Sequence, residues 1–158
     1  MNKPTHPRKQ KKKSANDEPK IAWTHTPRIA PGIYPGYSRS ASTYRDAQFK
    51  RWVCAVQVDI LSADLSIKLG RVTWFLNLGD GENPRAGRRS KYWGEWVRAN
   101  GAQPVRKDRL APKVFTLRYG HFVVADTTKT FNHPSVSKDA TYSVIRSVAT
   151  WDSGRGGR

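Results

Sequence analysis

The sequence has little cysteine, few acidic side chains and no long apolar run. Its 158 residues contain a single cysteine, Cys54, which excludes a disulfide framework, and no Cys/His spacing suits a structural zinc site. No run of about 18 apolar residues is present, so we expect no membrane-spanning helix. The basic N-terminus is not followed by an apolar segment of the secretory kind, so we expect no signal peptide. These absences predict a cytoplasmic protein without a membrane partner.

Positive charge is what the chain has in excess. Lys and Arg number 29 against 12 Asp and Glu, which gives a formal net charge of +17. Hydrophobic residues make up 37% of the chain, and six Trp, six Tyr and five Phe supply large side chains for a core. A chain of this length is expected to form one domain. Its charge predicts a polyanionic partner.

The charge divides the chain into three segments. Residues 1–28 are rich in Lys and Pro but poor in apolar side chains, so we predict a disordered basic arm that either binds phosphates or acts as a solubilising leader. Residues 29–152 form the predicted domain, and residues 153–158 a flexible Gly/Arg tail. Within the domain, residues 85–113 carry nine basic and two acidic side chains, a density that favours contact with nucleic acid.

Hydrophobic periodicity predicts a mainly β domain. The alternating or β-branched segments that we interpret as strands are 33–43, 52–60, 71–78, 119–126 and 142–151. Ser90 is a good N-cap for a helix over 91–100, and Asn100-Gly101 is a good stop; a short turn is expected over 110–115. Five strands with one helix between the third and the fourth is the element order of the OB-fold, a five-stranded Greek-key barrel. An SH3-like barrel or a small α+β sheet are the alternatives.

Several short motifs occur in the order found in one group of proteins. They are Pro31-Gly32-Ile33-Tyr34, the strand 56–60, the segment 70–78 (Gly-Arg-Val-Thr-Trp-Phe-Leu-Asn-Leu), Ala99-Asn100-Gly101 and the strand 118–126. In this order the chain resembles the single-stranded-DNA-binding OB-fold proteins of phages and mobile elements over about residues 31–151. The resemblance implies a DNA ligand and a role in replication or recombination in a bacterial or phage-infected cell. Bacterial-type members end in an acidic tail, whereas this chain ends in Gly-Arg-Gly-Gly-Arg.

No catalytic constellation is recognisable in the sequence. His121 falls on a predicted strand and pairs with no acidic residue at a metal-ligand spacing. Asp59, Asp64, Asp80 and Glu82 could in principle hold magnesium, but each is interpreted as lying at or near a turn, where Asp and Gly are common for backbone reasons. Cys54 falls on the inward side of its strand, which favours a buried, inert thiol. We therefore expect no enzyme activity, no cofactor and no metal site.

Candidate binding residues combine outward aromatic rings with basic side chains, as single-strand binders require. The third strand points Trp74 into the core and Phe75 outward, unless the N-terminal segment or a second copy of the chain covers Phe75. On the helix, Trp93, Trp96 and Val97 are predicted to plug the barrel. Phosphates are also favoured at the helix N-terminus by free N–H groups. The full candidate set is Tyr34, Tyr37, Arg71, Thr73, Phe75, Asn77, Arg85, Arg88, Arg89, Lys91, Arg106, Lys107, Arg109, Arg118 and Tyr119.

Two functions from different classes fit these features. The first is a non-catalytic single-stranded nucleic-acid-binding protein of low sequence specificity, with DNA preferred through the resemblance and RNA left open. A second copy of the chain or replication and recombination proteins are its candidate protein partners. The alternative is a basic structural subunit of a ribonucleoprotein or phage assembly, whose charge neutralises nucleic acid without stacking on its bases.

Overall fold

The computed structural model describes residues 28–127 and 141–152. The first 27 residues of the predicted arm, and the predicted Gly/Arg tail, lie outside the described residues. Arg28, the last residue assigned to the arm, forms an ion pair with Asp126, and the next residue, Ile29, is buried in the core. Within the described ranges, no helix is long and apolar enough to cross a membrane.

Five strands form one antiparallel sheet with a single helix between the third and fourth strands. The elements are β1 (Gly32–Asp46), β2 (Arg51–Leu61), β3 (Lys68–Asn77), α1 (Lys91–Asn100), a 3-10 turn (Pro112–Phe115), β4 (Arg118–Asp126) and β5 (Ser143–Trp151). The strands are ordered β3-β2-β1-β4-β5 across the sheet. The mainly β class and the element order predicted from the sequence are therefore confirmed.

Strand β1 is long, and it pairs with two neighbours. Its first half is paired with β4 and most of its length with β2. Two local features mark its course. A bulge interrupts the β1–β2 register between Ser38 and Ser40. Gly36 lies opposite Gly120, and a Cβ atom at Gly36 would approach Phe122 Cδ2 to 2.8 Å, so the strand can pass over this ring only without a side chain.

The two edge strands, β3 and β5, approach each other within 8 Å between Cα atoms, but no hydrogen-bonded ladder joins them in the described part of the chain. Helix α1 contributes polar side chains to the β5 edge instead. The Lys91 ammonium donates to the Arg146 carbonyl, and Arg98 donates to the Val148 carbonyl and, at 3.0 Å, to that of Ala149. The sheet is thus open, and helical side chains bind carbonyls of its β5 edge.

Aromatic rings fill the space between the sheet and α1. Phe115, from the 3-10 turn, lies at the centre, with its ring centroid 5.5 Å from Trp74, 5.6 Å from Tyr92 and 6.2 Å from Trp151. Trp74 and Phe115 are fully buried, so the prediction of Trp74 as a core residue is confirmed. Large rings bury much apolar area each, which lets a short domain build a stable core.

Helix α1 has the predicted bounds because its two ends carry strong local signals. The Ser90 hydroxyl accepts from the Trp93 amide at 3.2 Å, which satisfies one of the free N–H groups of the first turn. Gly101 has a φ of 77°, and its N–H donates to the Val97 carbonyl at 2.8 Å. This left-handed conformation favours glycine, so the helix stops there.

Candidate nucleic-acid interface

The surface of β1, β2 and β3 that faces away from the core is called here the outer face. Alternation along β3 places the four predicted residues Arg71, Thr73, Phe75 and Asn77 on it, while Val72, Trp74 and Leu76 are buried on the other side. The register with β2 sets each of the four beside a defined partner. Phe75 lies opposite Ala55, and Arg71 lies opposite Asp59.

Phe75 is the most exposed aromatic side chain on the outer face. Its side chain is 58% exposed although it lies well inside β3, and it is flanked on β2 by the small residue Ala55. On β1, Ser42 is paired with Ala55, and Tyr44, 41% exposed, lies two residues further along the strand. Ala55 is buried, whereas the phenyl ring beside it stays mostly exposed. Within the described residues the ring keeps more than half of its surface in solvent.

A cluster of three cations lies around Arg71, four residues before Phe75 on β3. The carboxylate of Asp59 accepts from Arg71 at 2.8 Å, from Lys68 at 2.9 Å and from Arg39 at 3.0 Å. Arg39 reaches it from the β1 bulge between Ser38 and Ser40. Asp59 is buried, whereas the three cationic side chains are each about half exposed. One buried carboxylate thus holds three cations at the surface, and this cation cluster has a net charge of +2.

The pKa of Asp59 reflects this arrangement. Burial by itself raises the pKa of a carboxyl group, but the hydrogen bonds and charges of Arg71, Lys68 and Arg39 outweigh burial and hold the pKa of Asp59 well below its usual range. The same contact raises the pKa of the Arg71 guanidinium. The Asp59 carboxylate is therefore ionised at neutral pH.

Two tyrosines extend the outer face toward β4. Tyr37 lies between Asp59 on β2 and Tyr119 on β4, and the two tyrosine rings are 4.8 Å apart at an angle of 51°. Tyr119 is 48% exposed, and Tyr37 is half-buried. Tyr34, in contrast, packs against the core, and its hydroxyl donates to the Ala30 carbonyl at 2.7 Å. Of the two tyrosines predicted on the first strand, only Tyr37 is placed on the outer face.

The basic segment 85–113 lies at a different place in the fold. A groove of about 880 Å³ opens between the loop that follows β3 and the loop that follows α1; it is called the loop groove here. Four of the predicted cations line it, namely Arg85, Arg88, Arg106 and Lys107, together with the acidic residue Asp108, which pairs with Arg106 at 3.0 Å. Arg89 and Arg109 are exposed in the same two loops but do not line the groove.

Two predicted binding cations are engaged within the fold. The Arg118 guanidinium donates to the carbonyls of Ala99 at 2.5 Å and Val114 at 3.1 Å, and it stacks 4.8 Å above the Trp151 ring. Burial lowers the pKa of Arg118. Lys91 donates to the β5 backbone, as described above. Both side chains hold elements together, and the structure brings neither of them to the outer face.

Sequence reasoning missed several residues of this surface. Arg39 and Lys68 belong to the cation cluster, and Tyr44 to the aromatic rows, yet none of the three was predicted. Asp59, predicted to lie at or near a turn, is inside β2 two residues before the strand ends at Leu61, and it is paired with Arg71 on β3. The available signal was its outward position beside Gln57 in an apolar strand, which required a cationic neighbour. Among the described residues, no group of three or more metal-ligating side chains is present.

Four positions predicted to lie in the core differ in outcome. Cys54 is fully buried as predicted, and burial raises the pKa of its thiol to about 11. Trp96 is buried and Val97 packs against the core, which fits the predicted plug. Trp93 does not belong to the core cluster; it lies about 100° around the helix from Tyr92, on the flank of the buried stripe, and lines the loop groove.

No family model matches the chain, and no curated protein matches it. The arrangement of side chains on the outer face and around the loop groove is accordingly the basis for assigning a function.

Proposed function

We propose that this protein is a non-catalytic single-stranded nucleic-acid-binding protein of low sequence specificity, and that the outer face is its binding surface. The observation that carries the proposal is Phe75, an aromatic ring left more than half exposed in the interior of a strand. An exposed phenyl group in that position has an unfavourable contact with water. Stacking of a nucleobase removes that contact and is tolerant of sequence, since every base has a flat π-face.

The cation cluster supplies the second requirement of such a surface. Phe75 and Arg71 lie four residues apart on β3, which corresponds to roughly 13 Å along the strand. Phosphates held by Arg39, Lys68 and Arg71 would therefore leave bases of the same strand within reach of Phe75 and Tyr44. Cations held in place by Asp59 lose little conformational freedom when a phosphate binds, which favours affinity.

We further propose that the sheet is an OB-like barrel whose β3 and β5 edges face each other. The strand order, the position of α1 between β3 and β4 and the approach of β3 to β5 support this proposal. In OB-folds the face of strands 2 and 3 is a common site for oligonucleotides. DNA as the ligand, replication or recombination as the process, and partner proteins of those pathways follow from the family resemblance alone.

A second candidate function has its own supporting observation. Several exposed cations lie on loops away from the outer face, including Arg89 and Arg109, and the chain as a whole has a net charge of +17. A basic subunit of a ribonucleoprotein or phage assembly would use this charge to neutralise phosphates on any nucleic acid. Such binding would not distinguish single strands from duplexes and would not depend on Phe75.

The test is an anisotropy titration of labelled oligo-dT and of a duplex of equal length with the wild-type protein and with Phe75→Ala. We expect tighter binding of the single strand, and a loss of roughly 1–3 kcal/mol in binding free energy for Phe75→Ala. Tyr142→Ala is the matched control, because Tyr142 is a 50% exposed aromatic residue that precedes β5. Equal affinity for both nucleic acids together with unchanged binding by Phe75→Ala would instead establish plain charge neutralisation.

A further inference from the structure

We propose that the loop groove is a second subsite for the same nucleic-acid strand, in which Trp93 stacks on a base and the surrounding cations bind the adjoining phosphates. This inference rests on the proposed function and deepens it, because it extends the binding surface beyond the outer face. It assigns a base-contacting role to a residue whose pattern on the helix predicts only packing.

Trp93 is the first observation. Its neighbours on α1 are fixed in the interior: the Tyr92 hydroxyl donates to the Leu110 carbonyl at 2.6 Å, and the Trp96 indole N–H donates to the Ala111 carbonyl at 3.1 Å. Trp93 is only half-buried and lines the groove. The guanidinium carbon of Arg88 lies 5.9 Å from the centre of its ring. A large flat ring beside a cation, facing an open groove, has the chemistry for a base and its phosphate.

The second observation is the charge and size of the groove. Four cations and one carboxylate line it, and the carboxylate of Asp108 is already paired with Arg106. The volume of about 880 Å³ falls within the range of sites that hold small organic ligands, and so has room for a nucleotide. Positive charge in a concave surface attracts phosphates more strongly than the same charge spread over a convex one.

The third observation is that the groove adjoins the outer face at one end of the sheet. Thr43 lines the groove, whereas its neighbour Tyr44 belongs to the outer face. In the same way, Leu78 lines the groove directly after Asn77, the last outer-face residue of β3. Successive side chains of a β-strand point to opposite sides, so the outer face and the groove meet at this end of the sheet. A nucleic-acid strand bound at Phe75 and Tyr44 would therefore continue over this end into the groove.

The first experiment varies the length of the probe. Two oligo-dT probes are used, one of about four and one of about 16 nucleotides, because these lengths span the site sizes of single OB-folds. Trp93→Leu keeps an apolar group against the groove wall but removes the stacking surface. We expect it to bind the longer probe roughly 5- to 100-fold more weakly than the wild type does, and the shorter probe nearly as well. Phe75→Ala should weaken the binding of both probes.

The second experiment uses two neighbouring arginines as a matched pair. Arg88 lines the groove and Arg89 does not, although both are exposed and precede α1. Arg88→Gln should weaken binding of the longer probe and make the slope of log affinity against log salt shallower by about 0.7, the value for one phosphate contact of a single strand. Arg89→Gln, with the same change in charge, should leave that slope nearly unchanged.

A probe without bases separates stacking from charge. Trp93→Leu and the wild type should bind a long abasic deoxyribose-phosphate strand equally well, because no base is present to contact Trp93. If Trp93→Leu binds the long oligo-dT like the wild type, or if Arg88→Gln and Arg89→Gln are indistinguishable, the subsite is disproved while the outer-face proposal stands. If no variant or wild-type protein binds oligo-dT, both proposals are overturned together.

Discussion

Among the described residues, Asp59 forms the most ion pairs. Its buried carboxylate accepts from three cations, so Asp59→Asn would leave Arg39, Lys68 and Arg71 without their counter-charge. We expect the free energy of unfolding to fall by about 1–3 kcal/mol, less than for a fully buried pair because the cations are half exposed. Asp108→Asn is the control, since its ion pair with Arg106 is exposed and should contribute about 0–1 kcal/mol. Urea unfolding at neutral pH measures both.

The same variant has a defined dependence on pH. The three cations hold the pKa of Asp59 below the value of about 3.9 expected for an unfolded aspartate. Its stabilising contribution is therefore complete above that value and is lost as the pH falls through it toward the folded pKa. The stability difference between the wild type and Asp59→Asn should shrink as unfolding is measured from about pH 5 downward. A difference that is constant or grows in acid would contradict this assignment.

Single residues also show what the sequence could and could not predict of the site. Alternation along β3 was sufficient to place Phe75 outward and Trp74 inward, because the period of a strand is local. The cation cluster could not be predicted, because its members come from β1, β2 and β3 and meet only through the strand register and the bulge in β1. Arg118 was predicted to extend the binding surface from the fourth strand, but its guanidinium donates to backbone carbonyls of α1 and the 3-10 turn, which the sequence pattern does not reveal.

At the scale of the elements, the pairing of β4 with β1 and β5 brings two glycines, Gly36 and Gly120, into close contacts. A Cβ at Gly120 would lie 2.8 Å from the Thr150 carbonyl oxygen, which belongs to the paired strand β5 and cannot easily move. Gly120→Ala should therefore lower the free energy of unfolding by about 1–3 kcal/mol. Gly94→Ala is the matched control in α1, where a Cβ would meet nothing within 4 Å. It should raise stability by about 0.5–1 kcal/mol because alanine favours the helix. Thermal unfolding of the two variants should shift in opposite directions.

The elements themselves were largely predictable, and the exceptions have physical causes. Helix α1 has the predicted bounds because Ser90 and Gly101 act on their nearest neighbours. Strand β1 runs to Asp46, three residues beyond its predicted end at 43, because pairing with the start of β2 extends it to an aspartate, a residue that is uncommon in strands. The binding of α1 side chains to the β5 edge was not predictable, since it depends on how the two elements are placed in space.

At the scale of the whole molecule, the positive charge has more than one location. The cation cluster, the loop groove and the exposed loop arginines are separate sources of charge in the described residues. Residues 1–20 add seven basic and two acidic side chains, according to the sequence. A folded site presents its charges at fixed positions, whereas a chain with little apolar content adds attraction at longer range. Salt dependence can separate these contributions.

The last prediction concerns the salt dependence of binding by the full chain and by a variant lacking residues 1–20. For single strands the slope of log affinity against log salt is about −0.7 per phosphate contact, so several contacts should give roughly −3 or steeper for the full chain. The shortened protein should have a shallower slope and weaker affinity, but an unchanged melting temperature, because the deleted segment has no apolar pattern with which to join the core. Anisotropy titrations of oligo-dT at several salt concentrations and a thermal scan measure the three quantities. A slope near zero for the full chain would remove the basis for nucleic-acid binding, and a large fall in melting temperature would show that residues 1–20 contribute to the folded domain.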